Sequence, residues 1–303
     1  MEGVMMKNRD TYAVAVRKPN HEIEVQKGKS ESLADRYAIC RLPIIRGVVN
    51  FAESMVVGMK TLTWSSSFFE EEAEEEPGKV EQFLLKIFGD KLEGVIMGFV
   101  MVLSVLLAVG IFMLFPFWLS HLLKSVIPSY TIRTFIEGLI RVGIFLLYVA
   151  AISRMEDIRR VFMYHGAEHK TINCLEHGED LTPANIKKYS RLHKRCGTSF
   201  LLIVMIVSIF IFMFIRVDQM LLKMLLRILL IPVVAGISYE FIRLAGRSDN
   251  KLVNLLSRPG LCLQYLTTRE PDEEMLEVAI ASVEGVMDWK AYLEAMRNGE
   301  LED

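Results

Sequence analysis

A long uncharged run at residues 94–119 constrains this chain more than any other feature of its sequence. The run exceeds the about 20 residues that an α-helix needs to cross the hydrocarbon core of a bilayer. Weaker apolar segments follow at residues 135–153, 199–215 and 221–241. We therefore predict four transmembrane helices, paired as two hairpins. The alternative is that one or two of them are buried helices of a soluble domain, but two uncharged runs of this length are rare in soluble proteins.

The composition supports this interpretation. Of 303 residues, 52% are hydrophobic and 24% charged, and the mean hydropathy is +0.31, so the apolar residues must be concentrated in segments. This concentration of apolar residues excludes a disordered chain and a coiled coil. The net charge of -2 excludes a nucleic-acid binder that relies on bulk positive charge. The four cysteines form no CxxC pair, which favours a reducing compartment. The amino terminus has no apolar run of the kind that a cleaved signal peptide needs.

Basic residues predict the orientation of the helices. Nine lie between the second and third apolar segments: Arg154, Arg159, Arg160, Lys170, Lys187, Lys188, Arg191, Lys194 and Arg195. The other two loops are short and carry few, so both termini and the central loop are predicted to be cytoplasmic. Glu137 and Arg141 are spaced i,i+4 within the second segment. They either pair and point into the bundle or lie near the outer interface, and the sequence favours neither.

Residues 1–93 are predicted to form a small cytoplasmic α+β region. Residues 11–17 and 22–26 alternate apolar and polar side chains about a Pro-Asn turn, which predicts a β-hairpin. Residues 44–60 are apolar but too short to span, which indicates an interfacial or re-entrant helix. The acidic run at residues 70–76 is interpreted as a solvated linker.

The rest of the chain is predicted to be helical, which makes the fold class mainly α. Residues 94–241 form the four-helix membrane unit, with a cytoplasmic helical hairpin at 154–198. Residues 242–303 form a carboxy-terminal cytoplasmic region. In it, a semi-apolar stretch at 250–266 is interrupted by a Pro-Gly pair, and residues 273–296 have the periodicity of a soluble amphipathic helix.

Five residues of the central loop are of the type that binds or serves a metal ion: His165, Glu168, His169, His193 and Cys196. His165 and His169 are i,i+4, so on a helix both imidazoles project from one face and can bind one Zn²⁺. Glu168 lies on the same side, where it could act as the catalytic base toward a water on the metal. The HxxEH order is that of the inverted zinc peptidases.

The predicted hairpin would bring these residues together. We expect the second transmembrane helix to continue over residues 154–175 and a second helix to start at Thr182 and run through Lys194. Antiparallel packing then places His165 level with His193. This predicts His165, His169 and His193 as metal ligands, with Cys196 as the fourth. Two further candidates, Glu176 and Glu240, rank below His193. The alternative is that these side chains satisfy one another by hydrogen bonds without a metal.

Separated motifs resemble one known family. The stretches EGVMMK, LPIIRG, YHGAEHKTINCLE, HKRCGTSF and RPGLCLQYLTTREPDEEMLEVAI occur in the order typical of the YqhQ family of bacterial integral membrane proteins, a domain of unknown function. The resemblance implies a multi-pass protein of the bacterial inner membrane and a metal-dependent enzyme. The family motif corresponds here to His165, Glu168, His169, Asn173, Glu176, His193, Arg195, Cys196 and Gly197. The chain starts at EGVMMK, where a few further residues are expected.

Three functions remain open from the sequence. The first is a zinc-dependent hydrolase at the cytoplasmic membrane face. The second is a non-enzymatic scaffold or assembly and insertion factor, which would bind other membrane proteins or the translocation machinery. Its basic loop could also meet anionic lipid headgroups or ribosomal RNA. The third is a transporter, which with four helices would need to form a homo-oligomer.

Overall fold

The computed structural model describes residues 2–69, 92–217, 219–248 and 250–300, and these are mainly helical. The predicted linker at 70–76 lies outside them. The strands are β1 (Gly3–Asn8), β2 (Thr11–Arg17) and β3 (Ile23–Lys29). The helices are α1 (Leu33–Arg36), α2 (Ile45–Ser66), α3 (Leu92–Val109), α4 (Phe115–Leu122), α5 (Tyr130–Ile152), α6 (Glu156–Glu176), α7 (Pro183–Ile186), α8 (Gly197–Met213), α9 (Met220–Ala245), α10 (Lys251–Thr267), α11 (Glu273–Val286) and α12 (Trp289–Arg297).

All four predicted transmembrane segments are helical. Among the residues that the structure describes, three helical stretches are long and apolar enough to cross a membrane, namely Gly98–Ser125, Tyr130–Ile152 and Leu221–Ala245. The first joins α3 to α4 through a π-helical turn at Gly110–Leu114. The remaining segment, Gly197–Met213, is a shorter apolar helix of 17 residues.

Of the two alternatives that the sequence leaves open for Glu137 and Arg141, the structure shows the pair. Arg141 Nη2 lies 3.2 Å from Glu137 Oε1. The Glu137 residue is only 1% exposed, and both of its carboxylate oxygens also accept hydrogen bonds from Arg227 of α9. The pair therefore points into the bundle and joins α5 to α9.

The amino-terminal strands form an antiparallel sheet in the order β1-β2-β3. The predicted hairpin is confirmed as β2 and β3, with Arg17 paired to Ile23 beside the turn. β1 was not predicted, although its Val4 and Met6 alternate with more exposed residues and are both buried. In the sequence GVMMKN the apolar residues Val4, Met5 and Met6 are consecutive, so no alternation of apolar and polar residues indicated a strand.

Helix α11 covers the sheet and connects it to α6. A Cβ on Gly285 would lie 2.3 Å from the Cβ of Ala13, so the absence of a side chain at Gly285 lets the helix approach the strand closely. Ser282 donates to the carbonyl of Ala13, and Leu276 is fully buried in the core that these elements share with α6. This packing places β1 beside the face of α6 that carries the histidines.

The prediction that the second apolar helix continues into the central loop is wrong. α5 ends at Ile152, and α6 begins at Glu156 after a turn. The Ser153 hydroxyl donates to the carbonyl of Ala150, and Met155 is extended, which interrupts the helix. The acidic residues in the first turn of α6 favour a new amino-terminal end there because they complement the helix dipole.

The prediction of a second helix in the hairpin, from Thr182 through Lys194, is also wrong beyond the first helical turn. α7 spans only Pro183–Ile186, and residues 187–196 are not helical. Side chains of α6 take the carbonyls that a helix would have used: Lys170 donates to the carbonyl of Lys187, and Asn173 to those of Ser190 and Leu192. Tertiary hydrogen bonds therefore replace helical ones in this loop.

Three other predicted helices have different bounds. The apolar segment at 44–60 is α2, which is longer and packs on α9, where Gly47 approaches Tyr239 closely. The predicted interruption at Pro259 is wrong, since α10 continues through it and Gly260 lies against Ser199 of α8. The amphipathic segment at 273–296 is two helices, because Asp288 caps α12.

Candidate metal centre

His165 and His169 lie side by side on α6, with ring centroids 4.3 Å apart. His165 Nδ1 is 2.8 Å from the carbonyl oxygen of Thr267, and His169 Nδ1 is 2.7 Å from that of Arg191. A carbonyl oxygen only accepts, so each Nδ1 must carry the proton. In a neutral imidazole with its proton on Nδ1, the lone pair is on Nε2, which is the atom that then binds a metal.

Cys196 brings a sulfur atom to the same place. Its Sγ lies 3.2 Å from His165 Nε2 and accepts a hydrogen bond from the backbone of Thr198, which caps α8. Burial opposes ionisation of the thiol, but hydrogen bonds with His169 and Thr198 outweigh it and lower the pKa of Cys196 below its ordinary value. A sulfur held at a helix amino terminus in this way is prepared to be a thiolate ligand.

These three residues could hold one metal ion. The ligand atoms of His165, His169 and Cys196 all lie within 4.8 Å of one another. Two imidazole nitrogens and one thiolate match the ligands that Zn²⁺ prefers. Three protein ligands leave a fourth tetrahedral position for water or substrate, which is the arrangement of catalytic rather than structural zinc sites.

Glu168 shares a cleft with this cluster. The cleft has a volume of about 370 Å³ and is also lined by Met6 of β1, Val283 of α11, and His193. Burial raises the pKa of the Glu168 carboxyl, and the nearby His165 and His193 oppose this only in part. A carboxylate with a raised pKa accepts a proton more readily near neutral pH.

A larger cavity of about 730 Å³ adjoins the cleft and reaches α2 and α9. The two share four lining residues: Lys7, Arg195, Cys196 and Gly197. The far wall of the larger cavity combines the apolar Phe51 and Met55 with the polar Asn50 and Tyr239. The two spaces together offer a ligand basic side chains beside the candidate metal centre and an apolar surface farther from it.

His193 lines the cleft but is held by other partners. Its ring centroid is 5.8 Å from that of His169, and its Nε2 lies 3.3 Å from Glu176 Oε2. Glu176 also forms a salt bridge with Arg195. The other remote candidate, Glu240, binds Arg46 of α2 instead. The structure thus groups His165 and His169 with Cys196, and gives His193 and both remote carboxylates other partners.

Sequence reasoning missed the residue that anchors the loop from the opposite side. Gln264 of α10 is fully buried; its amide donates to the carbonyl of His193 and its oxygen accepts from the backbone of His193, both at 2.8 Å. The available signal was its place in the motif RPGLCLQYL, where a polar residue interrupts an apolar stretch. A buried glutamine whose hydrogen bonds are satisfied fixes a loop in one conformation.

Comparison with known proteins supports the family that the sequence motifs indicate. A family model described as "Protein of unknown function (DUF1385)" matches residues 42–289, which include His165, His169 and Cys196. The chain is 35% identical over 300 residues to the "Uncharacterized protein YqhQ" of Bacillus subtilis (strain 168), a match covering 97% of this chain and 92% of that relative. The chain belongs to the YqhQ family. No solved structure matches it. The family names no function, so the chemistry must be argued from the site.

Proposed function

We propose that this protein is a zinc-dependent hydrolase of the bacterial inner membrane. The observation that carries the proposal is the grouping of two imidazole nitrogens and one sulfur from His165, His169 and Cys196 within 4.8 Å, on the wall of a cleft. Both imidazoles have their Nδ1 atoms bound to carbonyl oxygens, which orients Nε2 for a metal as in known zinc sites.

The membrane position follows from the helices. The three longer apolar helices cross the bilayer, and α8 crosses with them because its length of 17 residues reaches the lower limit for a span. Cys196 immediately precedes α8, so the metal centre lies at the membrane surface. The basic central loop places this surface in the cytoplasm, together with both termini. Residues 45–66, as α2, lie along the same interface.

Glu168 is the general base of the proposed reaction. His165, His169 and Cys196 would hold a zinc ion, which would supply a Lewis acid at the cleft. Glu168 would take the proton from the attacking water and return it to the leaving group. Lys7, which borders both cavities and whose ammonium contacts the neutral Ser30 hydroxyl, attracts an anionic group of the substrate, while Phe51 and Met55 receive an apolar part. The substrate class is therefore an amphiphile at the membrane surface, either a lipid headgroup ester or a juxtamembrane peptide.

The test compares Glu168→Gln with Glu156→Gln, an exposed glutamate in the first turn of the same helix. Purified protein is assayed against panels of carboxylic esters, phosphate esters and peptides, and its zinc content is measured in parallel. Glu168→Gln is expected to lower hydrolysis about 10²–10⁴-fold with unchanged zinc. Glu156→Gln is expected to match the wild type. Equal hydrolysis by both variants would contradict the role of Glu168, and absence of zinc from folded wild type would contradict the site.

A scaffold is the second candidate, and one observation favours it. α10 is not among the helices that could span, yet Leu252, Leu255 and Leu256 are more than half exposed on it. Such a face lies against lipid or against another protein. A scaffold would retain a partner membrane protein, or a subunit of the translocation machinery, in mild detergent. Binding of that partner would persist in Glu168→Gln and would be lost in a variant with charged residues on this face of α10.

A further inference from the structure

A second polar cluster lies inside the apolar helix bundle, near the ends of α5 and α9 that are away from the metal centre. Glu137 lies in the first half of α5 and Arg141 at its midpoint, and Lys223 and Arg227 belong to the first third of α9. The opposite end of α9 meets the metal centre, because Gly246 packs against Arg195. The cluster is thus separate from the proposed hydrolase site.

The charges of this cluster do not balance. In the part of the chain that the structure describes, the salt bridges give Arg141, Lys223 and Arg227 one carboxylate between them, that of Glu137. The two arginines and one carboxylate leave an excess of one positive charge, and a protonated Lys223 adds a second. All four residues are buried or nearly so, with Arg227 at 3% exposed. Excess charge inside an apolar bundle is costly and calls for a further anion.

Neutral groups stabilise the buried cations in part, but they supply no negative charge. Arg141 Nε donates to the carbonyl of Phe112. In an α-helix this carbonyl would accept from the N–H of residue 116, but residue 116 is a proline and has none. The ring of Phe212 faces the guanidinium of Arg227 at 5.0 Å, and Lys223 Nζ lies 4.9 Å from the ring of Phe117. Dipoles and rings lower the cost of the cations without neutralising them.

One donor of this cluster has no partner. The Nε atom of Arg227 is buried and forms no hydrogen bond with the described residues. Arg227 and Arg141 line a cavity of about 180 Å³ between α5, α8, α9 and the π-helical turn. Its other walls are mostly apolar and include Val204 and Val234. A buried cation with a free donor, beside an apolar cavity, is the chemistry of a site for an anion that carries an apolar chain.

We propose that this cavity binds the acidic headgroup of an anionic lipid. The phosphate or carboxylate group accepts hydrogen bonds from Arg141 and Arg227 and balances the excess charge, while an acyl chain contacts Val204 and the other apolar walls. A free phosphate ion offers the same anionic chemistry but leaves those walls without a partner. The apolar walls therefore favour the lipid.

The experiment measures lipid bound to the full chain. Protein is reconstituted in nanodiscs of phosphatidylcholine containing a minority of phosphatidylglycerol, and native mass spectrometry counts the phosphatidylglycerol that is retained. Arg141→Gln removes one cation but keeps the pair between Glu137 and Arg227. Val204→Trp fills the cavity and keeps every charge. Arg133→Gln, on the same helix, is the matched control, since Arg133 donates to the carbonyls of Ile127 and Pro128 and does not line the cavity.

Wild type and Arg133→Gln are expected to retain phosphatidylglycerol in preference to phosphatidylcholine. Arg141→Gln is expected to bind it about tenfold more weakly, as befits the loss of a charge-assisted hydrogen bond, and Val204→Trp is expected to lose it as well. Equal retention by all four proteins would overturn the proposal. A second arm adds inorganic phosphate to protein in detergent: stabilisation by phosphate that Arg141→Gln abolishes, without lipid preference, would replace the lipid by a free anion and overturn the lipid assignment.

Discussion

Asn173→Ala tests how the protein holds its candidate metal ligands in place. The Asn173 amide donates to the carbonyls of Ser190 and Leu192 at 2.6 and 3.0 Å, and Asn173 itself is only 9% exposed. The carbonyl between them, that of Arg191, accepts from His169. Removing the amide thus frees the segment that orients one histidine and that leads into Cys196.

The size of the effect follows from two lost hydrogen bonds. Each contributes about 0.5–1.5 kcal/mol net, so local opening of the loop should become easier by about 2 kcal/mol. That corresponds to roughly 30-fold faster exchange of protected amide hydrogens in the loop. Zinc affinity should fall about 10–100-fold, the usual result of losing a group that orients a metal ligand.

The reporter is the backbone amide of His193, which donates to Gln264 and is protected while the loop is closed. Hydrogen exchange by mass spectrometry and zinc competition are measured on wild type, Asn173→Ala and Asn185→Ala. Asn185 lies in the adjacent helix α7 and its amide forms a solvent-exposed hydrogen bond with the carbonyl of Asp180, so its variant should behave as wild type. If Asn173→Ala leaves both exchange at His193 and zinc affinity unchanged, the loop is held by other contacts and the reasoning is refuted.

Two further predictions concern stability, measured by thermal unfolding of the purified protein. Gly166→Ala should destabilise by at least about 2 kcal/mol because its Cβ would lie 2.0 Å from the carbonyl oxygen of Arg269, whereas Gly143→Ala, with open space around it, should be neutral or stabilising. Burial acts to raise the pKa of Glu2, but hydrogen bonds led by those from Arg160 outweigh it and lower that pKa below about 4.5. The resulting stabilisation is present above that value and lost as the pH falls through the lowered pKa, so wild type should lose more stability than Glu2→Gln on acidification, and parallel losses would contradict this.

Local pattern was enough to predict the apolar helices and the β2–β3 hairpin. The backbone N–H and C=O groups of a long uncharged run in lipid must hydrogen-bond within the run, which requires a helix. Two segments that alternate apolar and polar residues about a Pro-Asn turn are typical of a β-hairpin. The i,i+4 spacing likewise predicted that His165 and His169 would share one face of α6. These features depend on residues close together in the chain.

The loop at residues 187–196 could not be predicted in this way. Its sequence is compatible with a helix, but side chains from outside the loop hold it in another conformation, among them those of Lys170 and Asn173 on α6 and Gln264 on α10. For this reason Cys196, rather than His193, lies beside His165 Nε2. The same dependence on distant partners explains why spacing alone left the pairing of Glu137 with Arg141 open, since Arg227 of α9 became evident only in the folded bundle.

The most direct test is the zinc content of the purified protein, measured by elemental mass spectrometry. Wild type is compared with His165→Ala and Cys196→Ser, and with His177→Ala as a control on the carboxy-terminal end of α6, where the His177 ring bonds the carbonyl of Asn173 outside the cluster. We predict about one zinc per chain in wild type and His177→Ala, and loss of zinc from the other two while circular dichroism shows intact helices. Folded wild-type protein without zinc, or zinc that persists in both His165→Ala and Cys196→Ser, would contradict the proposed centre.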